Sequence, residues 1–383
     1  MNVTNDNNWT VVDNDAELRN LAADWVQLFK SNPHHSPFQS WGWVDSWIKH
    51  LAGPHELCFI CRRNDAGELL FVLPLVRRLS REHRSRGEYF LACGYGPDCS
   101  DYIGCLWHPS IEEHVADMTA WALNKFVEGS AQVKLTSLPG IGRFPHELND
   151  VLKKTGRAAL VEHFQSCPAV QLPESWDDFR KGLSRNFRSQ VGRRHRGILK
   201  HETAKLCSVS AERAADFADD IIRLNRVRMS AKGIVSTLEN DSFRAFIREV
   251  IPRLAEDGLA WMDAVTNGSK TVGAALNLVH GGRVYYYTGG FDEEFSSLQP
   301  GTALFAEVIK RSITNGYKSY DFLRGQEAYK FRWGTSNNPT WRLNLYPKSL
   351  FRGRVSYQKD RLVTRMRAGS QWIRGNSTVP QAE

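Results

Sequence analysis

The chain has 383 residues, of which 42% are hydrophobic and 11% aromatic, and this composition excludes an intrinsically disordered protein. Its length favours two domains, and its formal net charge of +8 indicates an anionic partner. The polar N-terminus has no signal-peptide pattern, and no apolar run reaches the roughly 18 residues of a membrane span. We therefore expect a cytoplasmic protein without a transmembrane segment.

The first half of the chain predicts helices followed by strands. The segments "DAELRNLAADWVQLFK" and "FQSWGWVDSWIKHL" have helical patterns. The segments "ELCFICRR" and "ELLFVLPLVRRL" are predicted to form a hairpin, because the Asn-Asp-Ala-Gly sequence at residues 64–67 favours a tight turn. Further strands are predicted at "EYFLAC" and "AQVKLTSL", with a helix over residues 111–128 between them.

The cysteines and histidines do not predict a metal site. Seven scattered cysteines indicate reduced, buried thiols rather than a disulfide framework. Cys58 and Cys61 form a CxxC pair, but positions three apart in a strand point to opposite faces. The 12 histidines show no HExxH or paired spacing, so we expect no metal cofactor.

A basic segment opens the second half. Residues 180–205 hold nine Lys and Arg against one acid, a net charge of +8 (9 − 1). Leu183, Phe187, Val191 and Ile198 recur at helical spacing, which predicts a helix with one docked face and outward-facing arginines. Two interpretations stay open: a surface that binds RNA, a phosphate-rich cofactor or an anionic membrane, and an ordinary solvated helix face.

The rest of the second half has a regular order of elements. Helices are predicted over residues 210–229 and 241–256. The strands "LAWMDAV", "TVGAALNLV" and "RVYYYTGG" follow, joined by tight turns, so we expect an antiparallel meander. A helix that begins at Pro300 and Gly301 and ends at Gly316 then leads to "YKSYDFL", a strand beside the last strand of the meander.

This crossover helix has a chemical consequence. It makes its two flanking strands parallel, and its N-terminus presents free backbone N–H groups and a positive dipole to the space between them. Gly301, Thr302 and Ala303 are small, which would let a pyrophosphate approach the backbone closely. The alternative is a Pro-Gly turn that only starts a helix.

The order of several motifs resembles a known family. "GAALNLV", "YYYTGGFD", "QPGTALFAEVIK" and "NGYKSYDFLRGQEAYKFRWG", preceded by "FRKGLSRNFRSQVGRRHRGILK", resemble the CelD-like acetyltransferases of the GNAT superfamily, relatives of the FemABX aminoacyltransferases. The resemblance implies an α+β fold of two tandem GNAT-like domains, each a mixed, mostly antiparallel sheet flanked by helices. It implies a degenerate N-terminal domain at residues 1–170 and a catalytic domain at residues 171–350. Residues 351–383 would then be a basic C-terminal tail.

The resemblance also implies an activity. Bacterial members of the family transfer an acyl group, commonly acetyl, from acyl-CoA to an amine or hydroxyl of a sugar or of an envelope or exopolysaccharide precursor. Leu298 departs from the GNAT pyrophosphate signature, which has Gln or Arg at that position. The FemABX relatives also lack the signature and use aminoacyl-tRNA, which the basic strip at residues 180–205 suits. Aminoacyl-tRNA-dependent transfer, and a non-catalytic scaffold that binds RNA or an anionic membrane surface, stay open as alternatives.

Charged residues cluster in "DFLRGQEAYKFRWG", residues 321–334, directly after the last predicted strand. Direct acyl transfer needs a base, stabilisation of an oxyanion and a proton for the leaving group. Asp321 is predicted to be the base or to orient the acceptor, and Glu327 is the second candidate base. Tyr329 is a predicted acid, and Lys330 a predicted contact to phosphate or developing charge. By resemblance, Tyr329 and Lys330 match the FemABX aromatic-lysine step near the acyl donor. The absence of a GxSxG elbow favours transfer without a covalent intermediate.

Other residues are predicted to bind donor and acceptor. The predicted donor contacts are Gly301, Thr302, Ala303, Arg324 and Arg332, and the predicted substrate contacts are Tyr286, Asp292 and Trp333. Structural roles remain as alternatives: a turn cap for Asp321, an ion pair for Glu327, a core position for Tyr286 and Tyr329, and plain solvent exposure for Lys330. The acceptor is expected to be a small molecule or a glycan precursor.

Overall fold

The computed structural model describes residues 8–79, 88–96, 99–129, 131–140, 143–347, 357–358 and 360. The predicted tail, residues 351–383, lies outside these ranges except for Tyr357, Gln358 and Asp360. Asp360 accepts a hydrogen bond from the Tyr346 hydroxyl at 2.6 Å. Within the described residues, no helix is both long and apolar enough to cross a bilayer.

Strands and helices are interspersed along the described parts of the chain. The strands are β1 (Trp9–Val12), β2 (His55–Arg63), β3 (Leu69–Arg78), β4 (Glu88–Leu91), β5 (Leu106–Trp107), β6 (Gln132–Pro139), β7 (Ala159–Gln171), β8 (Ala204–Val209), β9 (Ala260–Asn267), β10 (Lys270–His280), β11 (Arg283–Phe291), β12 (Ser319–Asp321) and β13 (Ser336–Leu345). The helices are α1 (Asp15–Asn20), α2 (Ala22–Ser31), α3 (Trp41–His50), α4 (Val115–Phe126), α5 (Phe144–Lys154), α6 (Trp176–Gly182), α7 (Arg185–Leu199), α8 (Ala214–Ala231), α9 (Asp241–Glu256), α10 (Pro300–Thr314) and α11 (Ala328–Phe331).

One continuous mixed sheet runs through both halves. Its order is β1-β2-β3-β4-β6-β13-β7-β12-β11-β10-β9-β8, with β5 paired to β3 outside this path. Most neighbouring pairs are antiparallel, and the parallel ones are β4 with β6 and β11 with β12. The predicted α+β class, with a mixed and mostly antiparallel sheet flanked by helices, is confirmed.

The two parallel pairs reveal an internal repeat. In the first half, β2, β3 and β4 form an antiparallel meander, and α4 then crosses to β6 beside β4. In the second half, β9, β10 and β11 form the meander, and α10 crosses to β12 beside β11. The predicted meander, crossover helix and returning strand of the second half are therefore confirmed.

The last strand of each half pairs with strands of the other half. β13, the final strand of the second half, pairs with β6 on one side and with β7 on the other. β7, which ends the first half, pairs with β12 of the second half. A boundary at residues 170 and 171 falls inside β7, so the predicted division into domains remains a prediction, with hydrogen bonds of the sheet crossing it.

Local sequence explains the start and end of α10. Pro300 occupies its first turn, where the missing N–H leaves no hydrogen bond unmade. Gln299 before it adopts φ +47°, and Gly316 after it adopts φ +75°, a left-handed conformation that glycine reaches without strain. The inner face of α10 packs on the sheet and carries the fully buried residues Ala306, Val308 and Ile309.

Two hydrophobic cores lie on opposite faces of the second-half sheet. One joins α6, α7 and α10 to the sheet and includes Tyr286 and Tyr320. The other joins α8 and α9 to the first half and includes Tyr285. Adjacent strand residues thus enter different cores, as the alternation of side chains in a strand requires. This alternation decides which loop residues can share a site.

Candidate functional site

A cleft of about 430 Å³ opens at the start of α10. We call it the α10 cleft. Its lining includes Gly301 and Thr302, Arg228 at the end of α8 and Lys232 just after it. Tyr329 in α11 and Arg332 just after α11 also line it; we call the whole segment between β12 and β13 the loop after β12. A neighbouring pocket of about 210 Å³ shares Arg228, Lys232, Tyr286 and Tyr329 with it and extends to Lys330. Of the charged loop at residues 321–334, Tyr329 and Arg332 therefore lie in the same cleft as the start of α10, as the sequence predicts.

The cleft opens where two parallel strands separate. β11 pairs with β12 only from Arg283 to Tyr285, opposite Ser319 to Asp321. β12 then ends, whereas β11 continues to Phe291. The ring of Tyr286 lies at this divergence, 4.7 Å from the Phe305 ring centroid, and forms part of the cleft wall. β11 therefore forms one wall of the cleft, and the end of β12 leaves the cleft open beside it.

The close approach of α8 to β11 forms the opposite wall. A Cβ atom on Gly290 would lie 2.3 Å from the main-chain carbon of Leu224 in α8. Only glycine leaves room for this contact, because such a distance is a severe steric overlap. The approach carries Arg228, in the last turns of α8, to the cleft.

The start of α10 offers fewer free N–H groups than the sequence predicts. Thr302 and Ala303 both donate their N–H groups to the Gln299 carbonyl, at 3.0 and 3.4 Å. Gly301 is the remaining donor, and the nearest atom to a Cβ at this position would be 3.9 Å away on Phe291. A ligand can therefore approach the backbone at Gly301, as predicted. Ala303 is fully buried on the inner face of α10 and is not accessible to a ligand.

Positive charge dominates the α10 cleft. Arg228, Lys232 and Arg332 line it, and its described lining contains no Asp or Glu. Partial burial, reinforced by nearby Arg228, lowers the pKa of Lys232 below its usual value. Arg332 lies over the Phe187 ring at 4.2 Å and donates a hydrogen bond to Gln190. Glu293 and Glu327 act on Lys232 from outside the lining, but the charged side chains of the lining itself are all cationic, which is the arrangement that an anionic ligand stabilises.

Tyr329 and Lys330 lie where the cleft meets its neighbouring pocket. Tyr329 is half-buried and stacks on Phe305 with ring centroids 5.8 Å apart, and its burial raises the phenol pKa well above the usual value. Lys330 is only 3% exposed. Its Nζ donates to the carbonyls of Arg324 and Leu323 at 2.5 and 3.3 Å and pairs with the Glu327 carboxylate at 3.0 Å. The ammonium group therefore fixes the loop behind Tyr329.

Arg324, a predicted donor contact, has other partners. Its Nε donates to the carboxylate of Asp101 at 2.8 Å, and its guanidinium also donates to the Ser100 carbonyl. Burial raises the pKa of Asp101, while the charge of Arg324 opposes that rise. This ion pair joins the loop after β12 to the first half, so the structure gives Arg324 a role in holding the two halves together.

Asp321, a predicted base, faces away from the α10 cleft. Its neighbour Tyr320 enters the core beneath α10, so Asp321 lies on the other face of β12. Its carboxylate accepts hydrogen bonds from the Tyr102 hydroxyl and the Leu323 N–H, both at 2.7 Å. Burial raises its pKa to about 7. The structure does not bring Asp321 together with Tyr329.

The remaining predicted residues divide in the same way. Tyr286 and Trp333 line the α10 cleft, although both are also buried core residues. Glu327 is exposed and lines the neighbouring pocket. Asp292 lies outside both: it accepts a hydrogen bond from Lys270 at 2.7 Å, which lowers its pKa, and caps the turn that follows β11. Its predicted contact with the substrate therefore has no support from its position.

Sequence reasoning missed Arg228 and Lys232. They end the long amphipathic α8, where charged residues are common, and nothing in their spacing distinguishes them from solvated positions. The available signal was Gly290 in "YYYTGGF", because a glycine inside a strand indicates that another backbone approaches closely. That backbone belongs to α8.

The basic segment borders the mouth of the cleft. α7 buries Phe187, Val191 and Ile198 as predicted. Gln190 donates to the side chain of Gln299 at 3.1 Å, and Arg194 donates to the Ser297 carbonyl at 3.0 Å, both just before α10. The exposed positive charge of α7 is thus continuous with that of the α10 cleft.

Comparisons with known proteins agree with this geometry. Residues 185–331 match the family model described as an acetyltransferase (GNAT) domain. No curated protein matches the chain. Among solved structures, the chain is similar to FemX, with 14% identity and a TM-score of 0.63, over 88% of this chain and 97% of FemX.

Two further structures have similar folds. One is the C-terminal domain of a protein described as a lysylphosphatidylglycerol synthetase from Agrobacterium fabrum, with 11% identity and a TM-score of 0.54, over 87% of this chain and 92% of that domain. The other is a conserved protein of unknown function from Bacteroides thetaiotaomicron, with 11% identity and a TM-score of 0.51, over 88% and 99% of the two chains. Residues 185–331 are therefore similar to a GNAT acetyltransferase domain, within a mixed α+β fold that most of the chain shares with FemX.

Proposed function

We propose that the protein is an acyltransferase that moves an acyl group, in particular acetyl, from acyl-CoA to an amine or hydroxyl of a sugar or of an envelope or exopolysaccharide precursor. The observation that carries this proposal is the α10 cleft, where Arg228, Lys232 and Arg332 surround the start of a helix without a carboxylate. Such a site favours a ligand with several negative charges.

The residues of the cleft fit the pyrophosphate of CoA. Gly301 leaves the backbone open at the start of α10, and the three cations offer charge-assisted hydrogen bonds. Leu298 stands where the GNAT signature has Gln or Arg, before α10. In this chain Arg228, on α8, would supply a guanidinium to the cleft instead. CoA supplies the activated thioester; the chain's own residues bind it and exclude water.

Direct attack fits the residues beside the cleft. The acceptor nitrogen or oxygen would form a bond to the acyl carbon while the carbon–sulfur bond breaks, and the departing thiolate must receive a proton. Tyr329 suits this role by position, because its protonated phenol lies where the α10 cleft meets the neighbouring pocket. Glu327, exposed at the neighbouring pocket, is positioned to accept the acceptor's proton. Lys330 keeps the loop that carries both residues in place.

A second donor, aminoacyl-tRNA, is favoured by one specific observation. Arg185, Arg193 and Arg196 are exposed on α7, on the segment that borders the cleft. A strip of this kind contacts the phosphates of a nucleic acid, and CoA is too small to cover it. Replacing these three arginines with Gln should weaken tRNA binding at least tenfold and leave acetyl-CoA binding unchanged.

Thermal-shift measurements distinguish the donors. A ligand that binds only the folded chain raises its melting temperature. We expect acetyl-CoA or a longer acyl-CoA to raise the melting temperature of the wild type, and Arg228→Gln to remove most of that shift. Arg143→Gln, at an exposed cation that does not line the α10 cleft, is the matched control and should keep the shift. A shift with tRNA alone would favour the second donor, and no shift with any CoA would contradict the first.

A further inference from the structure

A second and larger cavity, of about 860 Å³, lies between the two halves. We call it the inter-half cavity. Its lining includes Tyr102, Trp107 and Phe144 from the first half and Tyr285, Asp321 and Asn338 from the second. Its size falls within the range of small-molecule sites, about 300–1,000 Å³. Because Asp321 projects from the face of β12 opposite Tyr320, this cavity is separate from the α10 cleft.

The inter-half cavity occupies the first half's counterpart of the α10 cleft. It lies at the start of α4, lined by Val115 and Ala116, and at the end of β6, lined by Pro139. α4 and β6 correspond to α10 and β12 in the internal repeat. β13 of the second half contributes Asn338 and closes one side. The repeated topology has thus kept an opening at this position.

Its charge differs from that of the α10 cleft. Glu112, Glu113 and Glu147 line the first-half side, whereas Arg283 and Lys318 line the second-half side. With Arg143 and Asp321 included, carboxylates and cations are nearly balanced, and the described structure shows no ion pair among them. A polyanion such as CoA gains little from this lining, whereas a neutral or cationic polar ligand is not repelled.

Asp321 places a buried carboxylate at one end of the cavity. It is 4% exposed, accepts hydrogen bonds from Tyr102 and from Leu323 on different oxygens, and also interacts with the Asn338 side chain. A carboxylate has about four acceptor positions, so at least one remains for a ligand. Burial makes the ionised form costly, as its raised pKa of about 7 reflects, and a cationic partner would offset that cost.

We propose that the inter-half cavity binds a saccharide unit that carries a primary amine. The amine pairs with Asp321, and the sugar ring packs against the aromatic side chains of Trp107 and Phe144. The hydroxyl groups form hydrogen bonds with the charged side chains that line the cavity. Ligand pockets of this kind combine aromatic walls with a few placed polar groups. The site is non-catalytic, since neither Tyr329 nor Lys330 lines it, and it does not depend on the identity of the acyl donor.

Calorimetric titration with the β-1,4-linked dimer of glucosamine tests the proposal on the wild-type chain. We expect binding, and at least tenfold weaker binding of the N-acetylated dimer, because acetylation removes the charge that Asp321 recognises. Asp321→Asn should also weaken binding at least tenfold. Ala116→Phe, which fills the cavity from α4, should abolish it, and Arg228→Gln in the α10 cleft should leave it unchanged.

Melting curves of each variant establish that it is folded, and the comparison of the two dimers needs no variant. The proposal is overturned if the glucosamine dimer does not bind the wild type. It is equally overturned if the acetylated dimer binds as tightly, or if folded Asp321→Asn and Ala116→Phe both retain wild-type affinity.

Discussion

The two crossovers of the molecule have the same topology and different chemistry. In the second half, the opening beside α10 is lined by Arg228, Lys232 and Arg332 with no described acid. In the first half, the opening beside α4 is lined by glutamates and by cations in similar number. The fold supplies an opening at each crossover, and the side chains at its rim decide which ligand it suits.

The comparison also shows why only one opening suits a phosphate-rich donor. The α10 cleft continues into the exposed arginines of α7, whereas the inter-half cavity has glutamates at its rim and is bounded on one side by Asn338 of β13. A long anionic donor needs an open path along the surface. A compact polar ligand can instead be enclosed between the halves.

The largest expected effect concerns Lys330. Replacing Lys330 with Met removes the ammonium group that holds the Leu323 and Arg324 carbonyls, so the loop carrying Tyr329 should lose its geometry. We expect kcat to fall a hundred- to thousandfold, about 3–4 kcal/mol, with a smaller change in KM. Steady-state acyl transfer by wild type and variant measures both constants.

Lys310→Met, on the exposed face of α10, is the matched control and should change kcat by less than about twofold. A Lys330→Met variant that stays folded and retains wild-type kcat would remove the loop from the account of catalysis.

Substitution of one glycine in each opening tests how tightly the two openings are packed. A Cβ on Gly290 would overlap the main chain of α8, whereas a Cβ on Gly104, which lines the inter-half cavity, would meet its nearest atom at 3.9 Å. Gly290→Ala should therefore lower the free energy of unfolding by about 2–3 kcal/mol, and Gly104→Ala by less than about 1 kcal/mol. Urea denaturation of both variants measures the difference. Equal effects would mean that α8 does not depend on Gly290 for its position.

The pH dependence of stability tests the burial of Asp321. Its carboxyl holds a proton more tightly when folded, with pKa about 7 against 3.8, so the folded chain binds more protons than the unfolded chain between these values. The free energy of unfolding therefore falls as the pH rises through this interval. Between pH 5 and pH 8 we expect Asp321 to contribute a loss of about 2–3 kcal/mol that Asp321→Asn lacks.

Urea denaturation of wild type and variant at both pH values gives this difference. Asp45→Asn, at a half-buried surface ion pair, provides a comparison that should not remove the loss. An identical pH dependence in wild type and Asp321→Asn would show that the carboxyl is not buried in solution.

Much of the fold follows from local sequence signals. The turn at residues 64–67, the meander of β9 to β11, and Pro300 and Gly316 around α10 were each predicted from short patterns and confirmed. The position of β13 between β6 and β7 could not be predicted, because it depends on pairing between residues that are 167 (336 − 169) to 212 (345 − 133) positions apart in the chain. Local patterns carry no information about such pairing.

The candidate site could be predicted only in part. Tyr329, Gly301 and Arg332 meet because the crossover places the α10 start beside the loop after β12. Asp321 does not join them, although it is eight residues from Tyr329, because one position along a strand reverses the face. Arg324 is taken by Asp101, a partner 223 residues away that the loop sequence does not reveal.

A donor-bound crystal structure tests the central claim most directly. With an unreactive acyl-CoA analogue, we predict that the phosphates lie within hydrogen-bonding distance of Arg228 and Arg332 at the start of α10, and that the thioester end lies beside Tyr329. Phosphates found in the inter-half cavity, or on a surface away from α10, would contradict the account.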